Sequence, residues 1–151
     1  MAEQERRFLG LTHNPFDQQS DDFFELGERK THLEQLQYLS QWSRRALLVT
    51  GPTGVGKTTL FRKLSASLEP KVQLARVNGM LVNTGREVLM TIARSYQLDA
   101  PNNADSQQLG DLITGYAERQ ESVERICVAL VDDAEVLDPR AFDDLLELLA
   151  R

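Results

Sequence analysis

Ala46-Leu47-Leu48-Val49-Thr50-Gly51-Pro52-Thr53-Gly54-Val55-Gly56-Lys57-Thr58-Thr59 is the stretch that decides the fold. An apolar run of strand length stops at a glycine. A glycine-rich loop follows, and Lys-Thr-Thr opens a segment in which Leu60, Phe61, Leu64 and Leu68 recur at helical spacing. Strand, loop and helix in that order are the context that the pattern G-x-x-x-x-G-K-[ST] demands. Glycines at 51, 54 and 56 free the backbone to turn. A turned backbone can aim several N–H groups at one point and hold an anion there. The start of the helix adds partial positive charge. Gly51, Pro52, Thr53, Gly54, Val55, Gly56, Lys57, Thr58 and Thr59 therefore read as a phosphate cradle. Lys57 would reach the β- and γ-phosphates of ATP or GTP, and the Thr58 hydroxyl would ligate Mg2+.

Working outward, residues 72–78 form a second strand candidate, with Val72, Leu74 and Val77 as its apolar members. Thr84 and Glu87 make a capping box ahead of Val88, Leu89, Ile92, Ala93 and Tyr96. Asp105 and Gln108 repeat that pattern ahead of Leu109, Leu112, Ile113 and Tyr116. Residues 126–131 are a continuous apolar run, the pattern of a strand buried on both faces. Asp138 and Pro139 supply an N-cap and a first helical residue, and Phe142, Leu145, Leu146 and Leu149 form the stripe that follows. Upstream, residues 28–43 read as a helix carrying Leu33, Leu36, Leu39 and Trp42, while residues 7–27 read as irregular around Asn14-Pro15. Strands alternating with helices imply an α/β fold with a parallel sheet. Residues 1–44 form a lead-in, and residues 45–151 form the core.

The run at 126–131 ends in Asp132-Asp133. Carboxylates at the C-terminal edge of a parallel sheet stand where such sheets bind ligands. Asp132 is positioned to hold Mg2+ opposite Thr58. Asp133 is the candidate base that orients and deprotonates an attacking water, with Glu135 as the substitute. A solvated acid or a helix cap is the plainer role for Asp133. Phe8, Phe16, Phe23 and Phe24 read as packing residues of the lead-in, or as walls of an adenine pocket. His13 and His32 have no Cys or His partners at metal-ligand spacing.

A formal net charge of −6, from 17 Lys and Arg against 23 Asp and Glu, argues against a general nucleic-acid binder, which needs clustered cations. Arg44, Arg45, Arg62 and Lys63 leave room for a local basic patch. The single cysteine, Cys127, precludes an intrachain disulfide and reads as a small buried hydrophobe. No stretch has the length and apolarity of a membrane span, and Met1 to Gly10 lacks the apolar region of a signal peptide.

Phe8-Leu9-Gly10-Leu11, Asn14-Pro15-Phe16, Asp22-Phe23-Phe24, Glu28-Arg29, the loop at 51–58 and Val131-Asp132-Asp133-Ala134-Glu135-Val136-Leu137 follow one another in an order that resembles the ExeA/GspA-like AAA+ ATPases of type II secretion. It is also similar to the DamX-like group, in which such a domain is joined to a peptidoglycan-binding SPOR region. The resemblance implies a P-loop NTPase of the AAA+/ASCE kind, a three-layer sandwich with a parallel sheet, using ATP and Mg2+. It implies a homo-oligomer at the cytoplasmic face of the bacterial inner membrane, serving an envelope or peptidoglycan-associated partner. Two departures stand out. The family's acidic pair is normally Asp-Glu, and Asp133 is one methylene shorter. The family's fourth strand lies between the first and the third, yet the sequence reads as lacking the fourth and fifth strands and the helical lid. The three strands present are expected either to leave a gap beside 46–50 or to re-pair. Two other functions compete: a TniB-like transposition helper that binds DNA, and a nucleotide-gated scaffold that scarcely hydrolyses.

Overall fold

A computed structural model describes residues 27–42, 46–68 and 70–150 of the chain. The described elements run α1 (Glu28–Trp42), α2 (Lys57–Ser67), β1 (Val72–Asn78), a 3-10 turn (Gly79–Leu81), α3 (Gly85–Ser95), α4 (Ser106–Glu121), β2 (Ile126–Asp132), a second 3-10 turn (Ala134–Val136) and α5 (Pro139–Ala150). β1 and β2 pair in parallel, from Val72 opposite Ile126 to Asn78 opposite Asp132. Parallel neighbours need a long crossover, and α3 and α4 provide it.

Helix α3 is the hub, touching β1, α4 and α5. Its Val88, Leu89, Met90, Ile92 and Ala93 are buried with Ala75 and Val77 of β1, Leu109 and Ile113 of α4, and Ala141 of α5. Alternation along the strands puts Ala75 and Val77 on the same face as Cys127 and Val131, which pack on that core. The opposite face carries half-buried Leu74, Val128 and Leu130 and exposed Arg76.

Local chemistry starts each core helix. Thr84 Oγ1 accepts from the Glu87 N–H (3.3 Å), and Glu87 Oε2 accepts from the N–H groups of Asn83 (2.9 Å) and Thr84 (3.1 Å). The bonds from Asn83 and Thr84 favour the ionised form and hold the Glu87 carboxyl below its ordinary pKa. Asp105 Oδ1 accepts from Gln108 N–H (2.8 Å), and Gln108 Oε1 accepts from Asp105 N–H (3.1 Å). Asp138 Oδ1 accepts from Arg140 N–H at the start of α5 (2.8 Å). Asp144 of α5 joins the helix starts. Its Oδ2 accepts from Ser106 Oγ (2.9 Å), and its carboxylate lies directly on Gly85, where a Cβ would sit 2.6 Å from Asp144 Cγ. A carboxylate at two helix N-termini is favourably placed in the field of both.

Two strand expectations are corrected. Residues 46–50 form no strand, and Leu48 is 83% exposed. A strand needs a partner to satisfy its N–H and C=O groups, and among the described residues the sheet consists of β1 and β2 alone, so none is laddered to it. The apolar run at 126–131 is not buried on both faces. β2 is part-exposed along its length because β1 flanks one edge, and Ala129 is exposed.

Cys127 is half-buried rather than fully enclosed, and burial pushes its thiol up to about 11. Tyr96 is pushed up too, chiefly by burial and then by Cys127 and Tyr116, on whose ring it stacks at 5.4 Å.

Two outcomes test this packing. Leu89→Ala should cost about 2–5 kcal/mol in urea unfolding, whereas Leu48→Ala should stay within about 0.5 kcal/mol. Alkylation of Cys127 at pH 8 should run on the order of 100-fold below that of an unperturbed thiol, because burial disfavours the reactive thiolate.

Candidate nucleotide-binding site

The loop ahead of α2 takes the shape that its glycines permit. Gly54 (φ +82°) and Gly56 (φ +98°) lie in the left-handed region, which a Cβ resists. Gly51 does not use that freedom. Its constraint is space, since a Cβ there would lie 3.1 Å from Val55 Cγ1. The turn closes with a long bond from Val55 N–H to the Pro52 carbonyl (3.4 Å).

Gly56 is the N-cap of α2, with no side chain capping the helix. The first intrahelical bond runs from Leu60 N–H to the Gly56 carbonyl (2.9 Å). The N–H groups of Lys57, Thr58 and Thr59 precede that bond. Unlike the starts of α3 and α4, this one leaves its donors to an outside acceptor, as an anion site requires. Lys57 Nζ donates to the carbonyls of Gly51 (2.9 Å) and Pro52 (3.3 Å), folding the cation onto its own loop. Gly51, Pro52, Thr53, Gly54, Val55 and Thr58 are exposed, and Lys57 and Thr59 are half-buried.

The acids lie at the end of β2. Asp132 closes the strand opposite Asn78, and its Oδ1 accepts from the Asp133 N–H (3.1 Å). Asp133 is left-handed (φ +52°) and begins the second 3-10 turn. Asp and Asn tolerate that conformation better than longer side chains. This is a local reason for Asp at position 133. Glu135 is exposed within the turn. Helix α2 touches β2, so the loop's helix and the acid-bearing strand are neighbours.

Sequence reasoning passed over Asn78 and Gly79. Gly79 is buried, and a Cβ on it would fall onto the Asp133 carbonyl group and 3.1 Å from the Asp132 carbonyl oxygen. Asn78 Oδ1 accepts from Met80 N–H (2.8 Å), capping the turn that Gly79 opens. A glycine directly after a strand was the available signal, since it often marks close backbone approach. Of the other candidates, His32 is exposed on α1, while Phe8, Phe16, Phe23, Phe24, His13, Arg44 and Arg45 lie outside the described residues.

The glycine loop feeds an uncapped helix that touches a parallel strand ending in acids. The strand expected ahead of the loop is not formed, so loop, helix and acids carry the P-loop pattern here. The family model of the AAA domain matches residues 40–151, and the chain belongs to that family, whose domains bind nucleotide. It is 30% identical over 141 residues to General secretion pathway protein A of Aeromonas hydrophila, a match covering 92% of this chain and 26% of the relative. The chain thus spans about a quarter of that relative's length. No solved structure matches it.

If Gly56 is needed for its conformation, Gly56→Ala should cost about 1–2 kcal/mol of stability and weaken nucleotide binding. Binding by Gly56→Ala indistinguishable from wild type would contradict that requirement.

Proposed function

We propose that this domain binds ATP with Mg2+ and hydrolyses it as the motor module of a bacterial secretion or envelope-assembly protein. The observation that carries the reading is the uncapped start of α2 behind two left-handed glycines. The backbone N–H groups of Gly54 and of Gly56 to Thr59 bind phosphate oxygens. Lys57 leaves the loop carbonyls and pairs with the β- and γ-phosphates, exchanging neutral acceptors for charged ones. Thr58 and Asp132 would hold Mg2+, which would supply neutralisation of phosphate charge when bound. Among the described residues no cluster of His, Cys, Asp and Glu could hold a metal unaided. Asp133 orients the attacking water and accepts its proton.

The relative's name supports placement in a secretion system. A peptidoglycan-associated partner, assembly into a homo-oligomer, and residence at the cytoplasmic face of the inner membrane belong to the same proposal. No described helix is long and apolar enough to cross a membrane. Residues 1–44 serve as the lead-in to the ATPase core at 45–151. A second reading, a nucleotide-gated scaffold with slow turnover, is favoured by the shorter acid at Asp133.

The test is calorimetric binding of ATP with Mg2+ to the wild-type chain and to Lys57→Ala. The expected result is binding weakened by about 10–100-fold in a variant that stays folded, as loss of charged hydrogen bonds implies. Equal affinity in the two proteins would defeat the assignment.

A further inference from the structure

We propose that the Asn78–Gly79 turn is a positioning element for the acidic pair, setting where Asp132, the proposed metal ligand, and Asp133 stand at the end of β2. The inference rests on the magnesium-nucleotide reading above. β1 and β2 end side by side, with Asn78 opposite Asp132 as the last cross-strand partners. One residue beyond, the two turns press together. Gly79 is buried, and a Cβ there would meet three backbone atoms: the Asp133 carbonyl oxygen and carbon and the Asp132 carbonyl oxygen. All three belong to the acidic turn. None is the flexible end of a side chain that could swing away, so the turn itself must yield.

Clearing a methyl group would move that turn by about 1 Å, given the density of packing in a protein interior. Asp133 is already left-handed, which leaves it little conformational slack. The carboxylates of Asp132 and Asp133 would move with their backbone. Displacements of about 1 Å in such groups can cost on the order of 100-fold in function. Asn78 makes the other half of the device. Its side chain accepts from Met80 N–H (2.8 Å) and fixes the turn in which Gly79 lies. Neither residue is assigned a contact with nucleotide, so both act through the acids.

The experiment measures ATP affinity in EDTA and in Mg2+ for the full chain, Asp132→Asn, Gly79→Ala and Asn78→Ala, with thermal melts alongside. Wild type should bind more tightly with Mg2+ by on the order of tenfold, and Asp132→Asn should lose that gain. Gly79→Ala should keep metal-free affinity within about twofold while losing most of the magnesium gain. Asn78→Ala adds no atom and lies on an exposed side chain; it should lose a smaller part of the gain. A folded Gly79→Ala with the full magnesium gain overturns the proposal. So does an equal fall in metal-free and magnesium-bound affinity, which is the mark of general damage. If Gly79→Ala does not fold, Asn78→Ala decides, and an undiminished gain there overturns the proposal. No gain in wild type, or a gain that survives Asp132→Asn, would instead defeat the assignment of Asp132 as a metal ligand, and this inference with it.

Discussion

Parallel pairing of β1 with β2 is the constraint on which the rest depends. Because the strands run the same way, both end at one edge, and seven residues in register bring Asn78 level with Asp132. The crossover between them has to be long, and that length is spent on α3 and α4, whose apolar sides bury the inner face of the sheet. Helix α5 closes the same core through Ala141 and partly buried Leu145 and Leu148. Its Asp144 reaches the first residues of α3 and α4. The acids at the end of β2 are thus placed by the best-packed part of the molecule.

The glycine loop is held differently. Leu33 of α1 and Leu64 of α2 are buried, yet they lie outside the main core cluster. The residues from Ala46 to Val55 are largely exposed. A site made of backbone N–H groups does not require a buried wall behind each residue. It requires particular dihedral angles, and Gly54 and Gly56 provide them locally. In the proposed site, acids set by a paired strand end on one side and a loop whose glycines fix its dihedral angles on the other are two separate solutions to the problem of pre-organisation.

What was legible in the sequence was what neighbours in sequence decide. Thr84 with Glu87, Asp105 with Gln108, and Asp138 ahead of Pro139 marked three helix starts, because each cap is closed by groups within a few residues. The glycine loop was legible for the same reason. Sheet membership was legible only in part: the runs at 72–78 and 126–131 form the expected parallel strands, and the run at 46–50 does not. The run at 46–50 has strand composition, but a strand exists only where another chain segment offers a ladder, and that is a non-local fact. Full burial of residues 126–131 failed likewise: β2 has one neighbour among the described residues. The approach of Gly79 to Asp133 and the left-handed backbone at Asp133 were hidden too. The first arises where two distant turns meet, and no spacing rule reports such a meeting. Asp133, read in sequence as a shortened catalytic acid, has a backbone reason to be Asp as well.

Recognition by the proposed site resides in the loop and its helix start, and is therefore recognition of phosphates. The most direct measurement is calorimetric affinity of the chain for ATP, ADP and AMP in Mg2+. Phosphate recognition predicts that ATP and ADP bind at least about 100-fold more tightly than AMP, since each charged hydrogen bond contributes about 1.5–3 kcal/mol. Equal affinities across the three, or tighter binding of AMP, would place recognition on the base and sugar and contradict the assignment of the loop.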